Sequence, residues 1–163
     1  MPNKTTALFL VLALLSGSAL FAAGSKKKEE PKANHETLYN AGVALLESGD
    51  WKAAATKFEA ALGAKEDFAE AHNNLGYVLR KLGAENYEKA RDHYDRALEL
   101  NPKLAQAYHY RGVLHTLAGD ETAAKADHAK LLELDRELAD ELMAVIASGE
   151  EPEGNGGAAG KWK

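Results

Sequence analysis

The sequence predicts an all-α fold in which helical hairpins, each made of two short helices, stack side by side. Two sets of small residues recur three times along the chain at a near-constant spacing, and turn-forming Gly-Asp or Gly-Ala pairs divide each copy in two. Hydrophobic residues make up 45% of the 163 residues and charged residues 28%, as in a soluble repeat fold rather than a disordered chain.

The segment 1–24 has the pattern of an export signal peptide. Lys4 gives it a positive start, residues 7–15 form an apolar run, and small residues at 22–24 offer a processing site. We therefore expect cleavage, a charged linker over 25–34, and a mature protein in the periplasm or cell envelope. The alternative is an uncleaved anchor, the one way in which we expect the chain to meet a membrane, because three lysines follow the apolar run closely and positive charge there resists translocation.

The period of the repeat follows from the two sets of small residues. The first set is Gly42, Gly76 and Gly112, and the second is Ala54, Ala90 and Ala124. Successive separations are 34 and 36 residues in the first set, and 36 and 34 in the second. A single period of 34 fits both sets if two extra residues lie in the turn Gly83–Tyr87, and turns tolerate insertions.

Turn signals place seven helices along this repeat. Gly49-Asp50 and Gly119-Asp120 end one helix and begin the next, since glycine adopts a left-handed C-terminal conformation and aspartate caps a helix N-terminus. Asn101-Pro102 separates the second and third copies, because the residue before proline avoids helical geometry. The predicted helices are 35–48, 51–63, 69–82, 87–99, 103–117, 121–134 and 137–148.

The three glycines lie inside predicted helices, where glycine costs about 1 kcal/mol relative to alanine. Their recurrence in register indicates close helix packing, with each glycine facing the second helix of its own hairpin. The three alanines are expected to face back from that second helix. The last helix has an apolar face at Leu138, Leu142 and Val145, which predicts a capping role at the end of the stack.

The order of these markers resembles the tetratricopeptide repeat: a small pair, a Gly-Asp turn, an alanine with an aromatic residue four positions later, and Asn-Pro. The resemblance covers residues 35–138. It implies a right-handed superhelical stack of three hairpins, with repeats over 35–68, 69–104 and 105–138, a C-terminal capping helix over 139–148, and a flexible tail over 149–163. Two departures are Arg111, where leucine is common, and His128, which replaces the aromatic residue.

The resemblance also implies that the first helix of each hairpin lines a concave groove. The groove residues are then Tyr39, Asn40, Val43, Asn73, Asn74, Tyr77, Arg80, Lys81, His109, Tyr110 and Val113. Asparagine amides can both donate to and accept from a peptide backbone, and tyrosine offers a large contact area with a polar tip. We therefore expect an exported scaffold or adaptor that binds a partner protein or peptide. The alternative is an assembly subunit that self-associates or packs in an envelope complex.

One known variant of such a groove is disfavoured by the sequence. In co-chaperones of this family, lysine, asparagine and arginine side chains clamp the terminal carboxylate of a peptide. The matching positions here hold Tyr39, Val43, Asn74, Gln106 and Tyr110, of which only Asn74 keeps the family's residue.

The sequence offers no pattern for catalysis, a cofactor, a metal or nucleic acid. It has no cysteine, no histidine pair spaced four apart around a helical glutamate, and no phosphate-binding glycine loop. The serines beyond the signal are in a linker or at helix ends. A net charge of −5 without a basic cluster does not suit a phosphate backbone. Trp162, flanked by lysines in the tail, could instead act as a docking tag.

Overall fold

The computed structural model describes residues 34–151, which form seven α-helices and contain no strand. The helices are α1 (His35–Glu47), α2 (Trp51–Ala64), α3 (Ala69–Lys81), α4 (Tyr87–Leu100), α5 (Ala105–Leu117), α6 (Glu121–Leu134) and α7 (Arg136–Ser148). These bounds lie within two residues of the predicted ones, so the all-α prediction is confirmed. The predicted signal peptide and Trp162 lie outside the described residues. No helix in 34–151 is both long and apolar enough to cross a membrane.

Local capping explains most helix ends. The side chain of Asp50 accepts a hydrogen bond from the amide of Ala53 at 3.1 Å, and Gly49 before it has a φ of +78°. The two-residue insertion forms a single 3-10 turn, Ala84–Asn86, as expected for the second hairpin's turn. Helix α5 starts two residues later than predicted because the side chain of Asn101 accepts from the amide of Lys103 at 3.1 Å and holds a turn there.

The helices pack in pairs, α1 with α2, α3 with α4 and α5 with α6, and neighbouring pairs stack. A Cβ added at Gly42 would meet the ring of Phe58, and one added at Gly76 would meet the ring of Tyr94, within 3 Å in both cases. Both rings are fully buried. The prediction that these glycines face the second helix of their own hairpin is therefore confirmed for the first two copies.

The same prediction is wrong for Gly112. The three atoms nearest to a Cβ there all belong to the side chain of Leu142 from α7, and none belongs to α6. The reason lies at His128, which replaces the buried aromatic residue of the other copies and is only half-buried. Leu142 is fully buried and fills the space that the aromatic ring occupies in the other hairpins.

Arg111 departs from the repeat pattern but keeps its charge paired. Its guanidinium donates to both carboxylate oxygens of Asp127, at 2.6 and 3.0 Å, and to Asp95 at 2.6 Å. Asp127 is 3% exposed, so its charge depends on this bidentate partner. The network ties α5 to α4 and α6, and it explains how a cation can replace leucine at this position.

The packing role of Gly76 can be tested with a matched pair of glycine substitutions. Gly76→Ala is expected to lower the free energy of unfolding by about 1–3 kcal/mol, because its Cβ would overlap the buried Tyr94 ring. Gly63→Ala is the control, since no atom lies within 4 Å of its added Cβ. There we expect a gain of up to about 1 kcal/mol from helix propensity. Urea denaturation measures both, and equal stability of the two variants would contradict the packing role.

A pair of histidines, His72 and His93, joins α3 to α4 in the second hairpin. Nδ1 of His72 lies 2.9 Å from Nδ1 of His93, and Nε2 of His72 donates to the carbonyl of Glu66 at 3.0 Å. Burial and the neighbouring His72 lower the pKa of His93 to about 4. Burial also lowers the pKa of His72. Both rings are thus neutral in the folded protein at pH 7.

Since the unfolded chain binds protons more readily than this pair, stability is expected to fall as the pH drops from about 6.5 towards 4. The measurement is urea denaturation at pH 7.5 and pH 5. His93→Asn keeps a donor near the position of Nδ1 but does not titrate, so the loss of stability between the two pH values should be smaller in this variant. An unchanged loss would show that the pair is not responsible.

Candidate functional site

The eleven predicted groove residues all lie on α1, α3 and α5, but their exposure differs sharply. We call this surface the groove. Asn40 on α1 is exposed, and Tyr39, Val43 and Lys81 are half-buried. The remaining seven are buried: Asn73, Asn74, Tyr77, Arg80, His109, Tyr110 and Val113. The accessible part of the groove is therefore its α1 side together with Lys81 on α3.

Tyr77 and Tyr110 are packing residues rather than the open contact surface that the sequence predicted. Each is 2% exposed, and their ring centroids lie 5.0 Å apart. Trp51 from α2 packs against Tyr77 at 6.0 Å, and Tyr94 from α4 packs against Tyr110 at 6.4 Å. The aromatic side chains fill the space between consecutive hairpins, so this part of the prediction is wrong. Burial raises the pKa of both hydroxyl groups, which stay protonated.

Two asparagines and a tyrosine form a hydrogen-bonded chain across α1 and α3. The side-chain amide of Asn73 donates to Oδ1 of Asn74 at 3.1 Å, and the Asn74 amide donates to the hydroxyl of Tyr39 at 3.0 Å. Asn74 thus uses its side-chain amide in a hydrogen bond within the protein. Within residues 34–151, no group donates to Oδ1 of Asn73, although that residue is 4% exposed.

Helix α7 covers the third-hairpin end of the groove. Val113 packs against Leu138, Leu142 and Val145 in one apolar cluster. Nε2 of His109 lies 3.6 Å from the carboxylate of Glu141 on α7. The predicted capping helix therefore exists, and it takes up two of the residues that were predicted to face a partner.

The first residues of the predicted flexible tail, 149–151, follow α7, and Glu151 contacts the groove, while the rest of that tail lies outside the described residues. Gly149, with a φ of +71°, ends α7 and redirects the chain. Both oxygens of Glu151 accept from the Arg80 guanidinium, at 2.6 and 3.2 Å, and Nζ of Lys81 lies 3.5 Å away. Sequence reasoning missed Glu151. The signal for it was an acidic run that complements two basic residues, Arg80 and Lys81, which lie 71 and 70 positions earlier.

The Arg80 guanidinium is almost completely buried beneath this carboxylate. Its side chain is 2% exposed, and it lies over the ring of Tyr77 at 5.2 Å from the centroid. Burial acts to lower the pKa of Arg80, but the adjacent Tyr94 and Glu151 outweigh it, so the net shift is upward. For Glu151, burial acts to raise the pKa, and the charge of Arg80 more than offsets it. Both groups are therefore ionised at neutral pH.

The chemistry of this surface is that of recognition. Over residues 34–151, no three histidine or carboxylate side chains come together as a metal would require. What the groove offers is a buried amide acceptor, a buried cation with its carboxylate, and a half-exposed aromatic side chain. These groups can hold a peptide by hydrogen bonds and charge.

The amide chain can be tested by removing one hydroxyl group. Tyr39→Phe leaves the buried Asn74 amide without its acceptor, so we expect a loss of about 1–3 kcal/mol in the free energy of unfolding. Tyr87→Phe is the matched control, because the Tyr87 hydroxyl has no hydrogen bond among the described residues. Thermal and urea denaturation would measure both variants. A Tyr39→Phe protein as stable as the control would contradict the role given to that bond.

With this geometry in view, the chain can be compared with known proteins. Two family models described as "Tetratricopeptide repeat" match residues 39–85 and 69–104. Among curated proteins, the chain is similar to "Photosystem I assembly protein Ycf3" of Acaryochloris marina, with 35% identity over 97 residues. That match covers 56% of this chain and 57% of the relative, so the chain spans little more than half of the relative's length.

Two solved structures show the same fold. One is the first tetratricopeptide repeat domain of Spaghetti (RPAP3) bound to an HSP90 peptide, with a TM-score of 0.64 and 20% identity. It covers 72% of this chain and 94% of that one. The other is the Yersinia enterocolitica type III secretion chaperone SycD with a peptide of the translocator YopD, with a TM-score of 0.63 and 17% identity. It covers 70% of this chain and 90% of that one.

The family matches fall on the first two hairpins, where the glycines contact aromatic rings of the paired helix. The structural matches extend over about 70% of the chain. The family matches show that this chain carries tetratricopeptide repeats over residues 39–104, and the paired helices with the structural matches show that it has the fold of that family.

Proposed function

We propose that this protein is an exported, non-catalytic adaptor that holds a segment of a partner protein in the groove. The fold is one in which two structural neighbours are seen with bound peptides, the HSP90 peptide in one and the YopD peptide in the other. A relative that covers part of the chain is named as an assembly protein. These similarities favour binding, and the residues of the groove give the proposal its chemistry.

The observation that carries the proposal is the buried acceptor of Asn73. A buried polar atom without a partner costs about 1–3 kcal/mol, so proteins rarely keep one without a reason. An extended peptide presents a backbone N–H group on each side at every second residue. A peptide that donated one of these groups to Asn73 would remove that cost, and the gain would appear as binding energy.

The exposure pattern indicates where the partner lies. Helix α7 covers His109 and Val113, so the third-hairpin end of the groove is closed. Asn40 is exposed and Tyr39 and Lys81 are half-exposed, which leaves the part formed by α1 and α3 for the partner. A segment bound there would pass Tyr39 and Lys81. To reach Oδ1 of Asn73, a residue that is 4% exposed, it has to displace the side chains that cover this atom.

Site-specific photo-crosslinking tests this placement. We would put a photoreactive amino acid at position 40 in the groove and, as the control, at position 130 on α6, where Lys130 is exposed and pairs with Glu133. A partner held in the groove should crosslink from position 40 at least about tenfold more than from position 130, because such crosslinkers react only with atoms in contact. Equal yields from the two positions would contradict binding in the groove.

Self-association remains the second candidate, and one observation favours it. Leu132, Leu134 and Met143 are large apolar side chains that are 46%, 38% and 39% exposed on α6 and α7. Exposed apolar surface at the end of a repeat stack can support end-to-end packing. Sedimentation velocity separates the two proposals, since a strictly monomeric mature protein would leave only the adaptor function.

Export is proposed from the sequence pattern of residues 1–24 alone. The direct measurement is the mass of the protein recovered from the cell envelope. Removal of the first 22–24 residues would support a cleaved signal, and a full-length membrane-bound form would support the anchor.

A further inference from the structure

We propose that Arg80 and Lys81 form a carboxylate subsite in the groove, which Glu151 fills within the chain and which an acidic side chain of the partner's segment fills in the complex. This inference rests on the proposed function of the groove and names the partner chemistry that the groove selects. The ligand is the side chain of a glutamate or aspartate inside an extended segment, because Glu151 is itself such a residue.

The geometry of the contact is that of a carboxylate site. Two nitrogens of the Arg80 guanidinium donate to the two oxygens of Glu151, at 2.6 and 3.2 Å, in the bidentate arrangement that arginine makes with carboxylates. Lys81 adds a second positive charge, with Nζ 3.5 Å from the same carboxylate. Capping the C-terminal end of α3 would not require two adjacent cations, Arg80 and Lys81, that both contact the carboxylate of Glu151.

The protein holds Arg80 in place through residues that do not depend on the tail. The guanidinium lies 5.2 Å from the centroid of the Tyr77 ring, which itself packs on Trp51 and Tyr110. The buried Tyr94 from α4 also acts on the Arg80 guanidinium electrostatically. The second hairpin thus positions a buried cation, and a buried cation requires an anion.

The carboxylate that now fills the site is well placed to leave. Glu151 comes three residues after the end of α7, and its described hydrogen bonds are those of its carboxylate with Arg80 and Lys81. Its side chain is 18% exposed, against 2% for Arg80. A ligand tethered in this way competes at a local concentration in the millimolar range. Acidic segments that bind weakly are therefore excluded from the subsite. A partner that also binds elsewhere in the groove can displace Glu151.

The site also differs from the carboxylate clamp of the co-chaperones. The positions of that clamp hold Tyr39, Val43, Asn74, Gln106 and Tyr110 here, none of which contributes to the Arg80 contact. Arg80 and Lys81 lie instead in the last turn of α3. The chain therefore recognises a carboxylate from a different part of the groove.

The test uses the full-length protein and a synthetic probe. The probe is a fluorescein-labelled peptide with the sequence of residues 147–155 and an amidated C-terminus, so that it offers only side-chain carboxylates. Binding is measured by fluorescence anisotropy to the wild type and to Glu151→Gln. We expect the variant to bind the probe at least about tenfold more tightly, because its own tail no longer occupies the cations.

Two controls link that gain to the subsite. A probe with all three glutamates changed to glutamine should bind Glu151→Gln at least about tenfold more weakly, since only the carboxylates are lost. Lys81→Gln in the Glu151→Gln background should also weaken binding. Lys81 is half-exposed, so this variant avoids the unfolding that a change at the buried Arg80 could cause. Circular dichroism confirms that each variant is folded.

The proposal is overturned if wild type and Glu151→Gln bind the probe equally, if the glutamine probe binds as well, or if no binding to Glu151→Gln appears at millimolar peptide. These results are independent of crosslinking from position 40. Crosslinking in the groove without any dependence on glutamate would leave the adaptor function in place and remove the subsite. Glutamate-dependent binding of the probe without crosslinking from position 40 would support the subsite and remove the proposed position of the partner in the groove.

Discussion

The close approach of paired helix backbones is the constraint on which the rest of this structure depends. At Gly42 and Gly76 the missing side chain leaves room for a buried aromatic ring of the paired helix. Each ring then fixes the distance and angle between the two helices of its hairpin. Because the same contact recurs one period later, the first helices of successive hairpins line up on one surface. The groove is therefore a consequence of the repeated packing contact.

The same packing decides which groove residues can meet a partner. Tyr77 and Tyr110 face the space between consecutive hairpins, and they fill it. With these rings buried, the polar side chains that remain along the groove include the amide of Asn73 and the guanidinium of Arg80, both at low exposure. Polar groups held at low exposure give specificity, since a ligand that fails to satisfy them is penalised.

Two arginines, Arg80 buried and Arg111 half-buried, show how the chain pairs charge at low exposure to water. Arg111 has both of its carboxylate partners on neighbouring helices, so its network is complete within the stack. Arg80 has no acidic partner on the other helices of the groove and takes one from beyond α7 instead. The Arg111 ion pairs therefore join three helices, whereas the Arg80 ion pair joins α3 to the segment that follows α7.

The sequence by itself determined the helices, their pairing and the family, because the signals for these are local or repeat at a fixed period. Gly49-Asp50, Asn101-Pro102 and the recurring glycines act within a turn or across one hairpin, so spacing is enough to place them. Only the tertiary structure decided that Leu142 packs against Gly112, that Tyr77 is buried, and that Glu151 contacts Arg80. These contacts join residues that no period relates. The contacts of Leu142 and Glu151 depend on where α7 and residues 149–151 lie, and the burial of Tyr77 depends on how Trp51 and Tyr110 fill the space between hairpins. Side-chain volume and charge pairing in three dimensions decide these contacts.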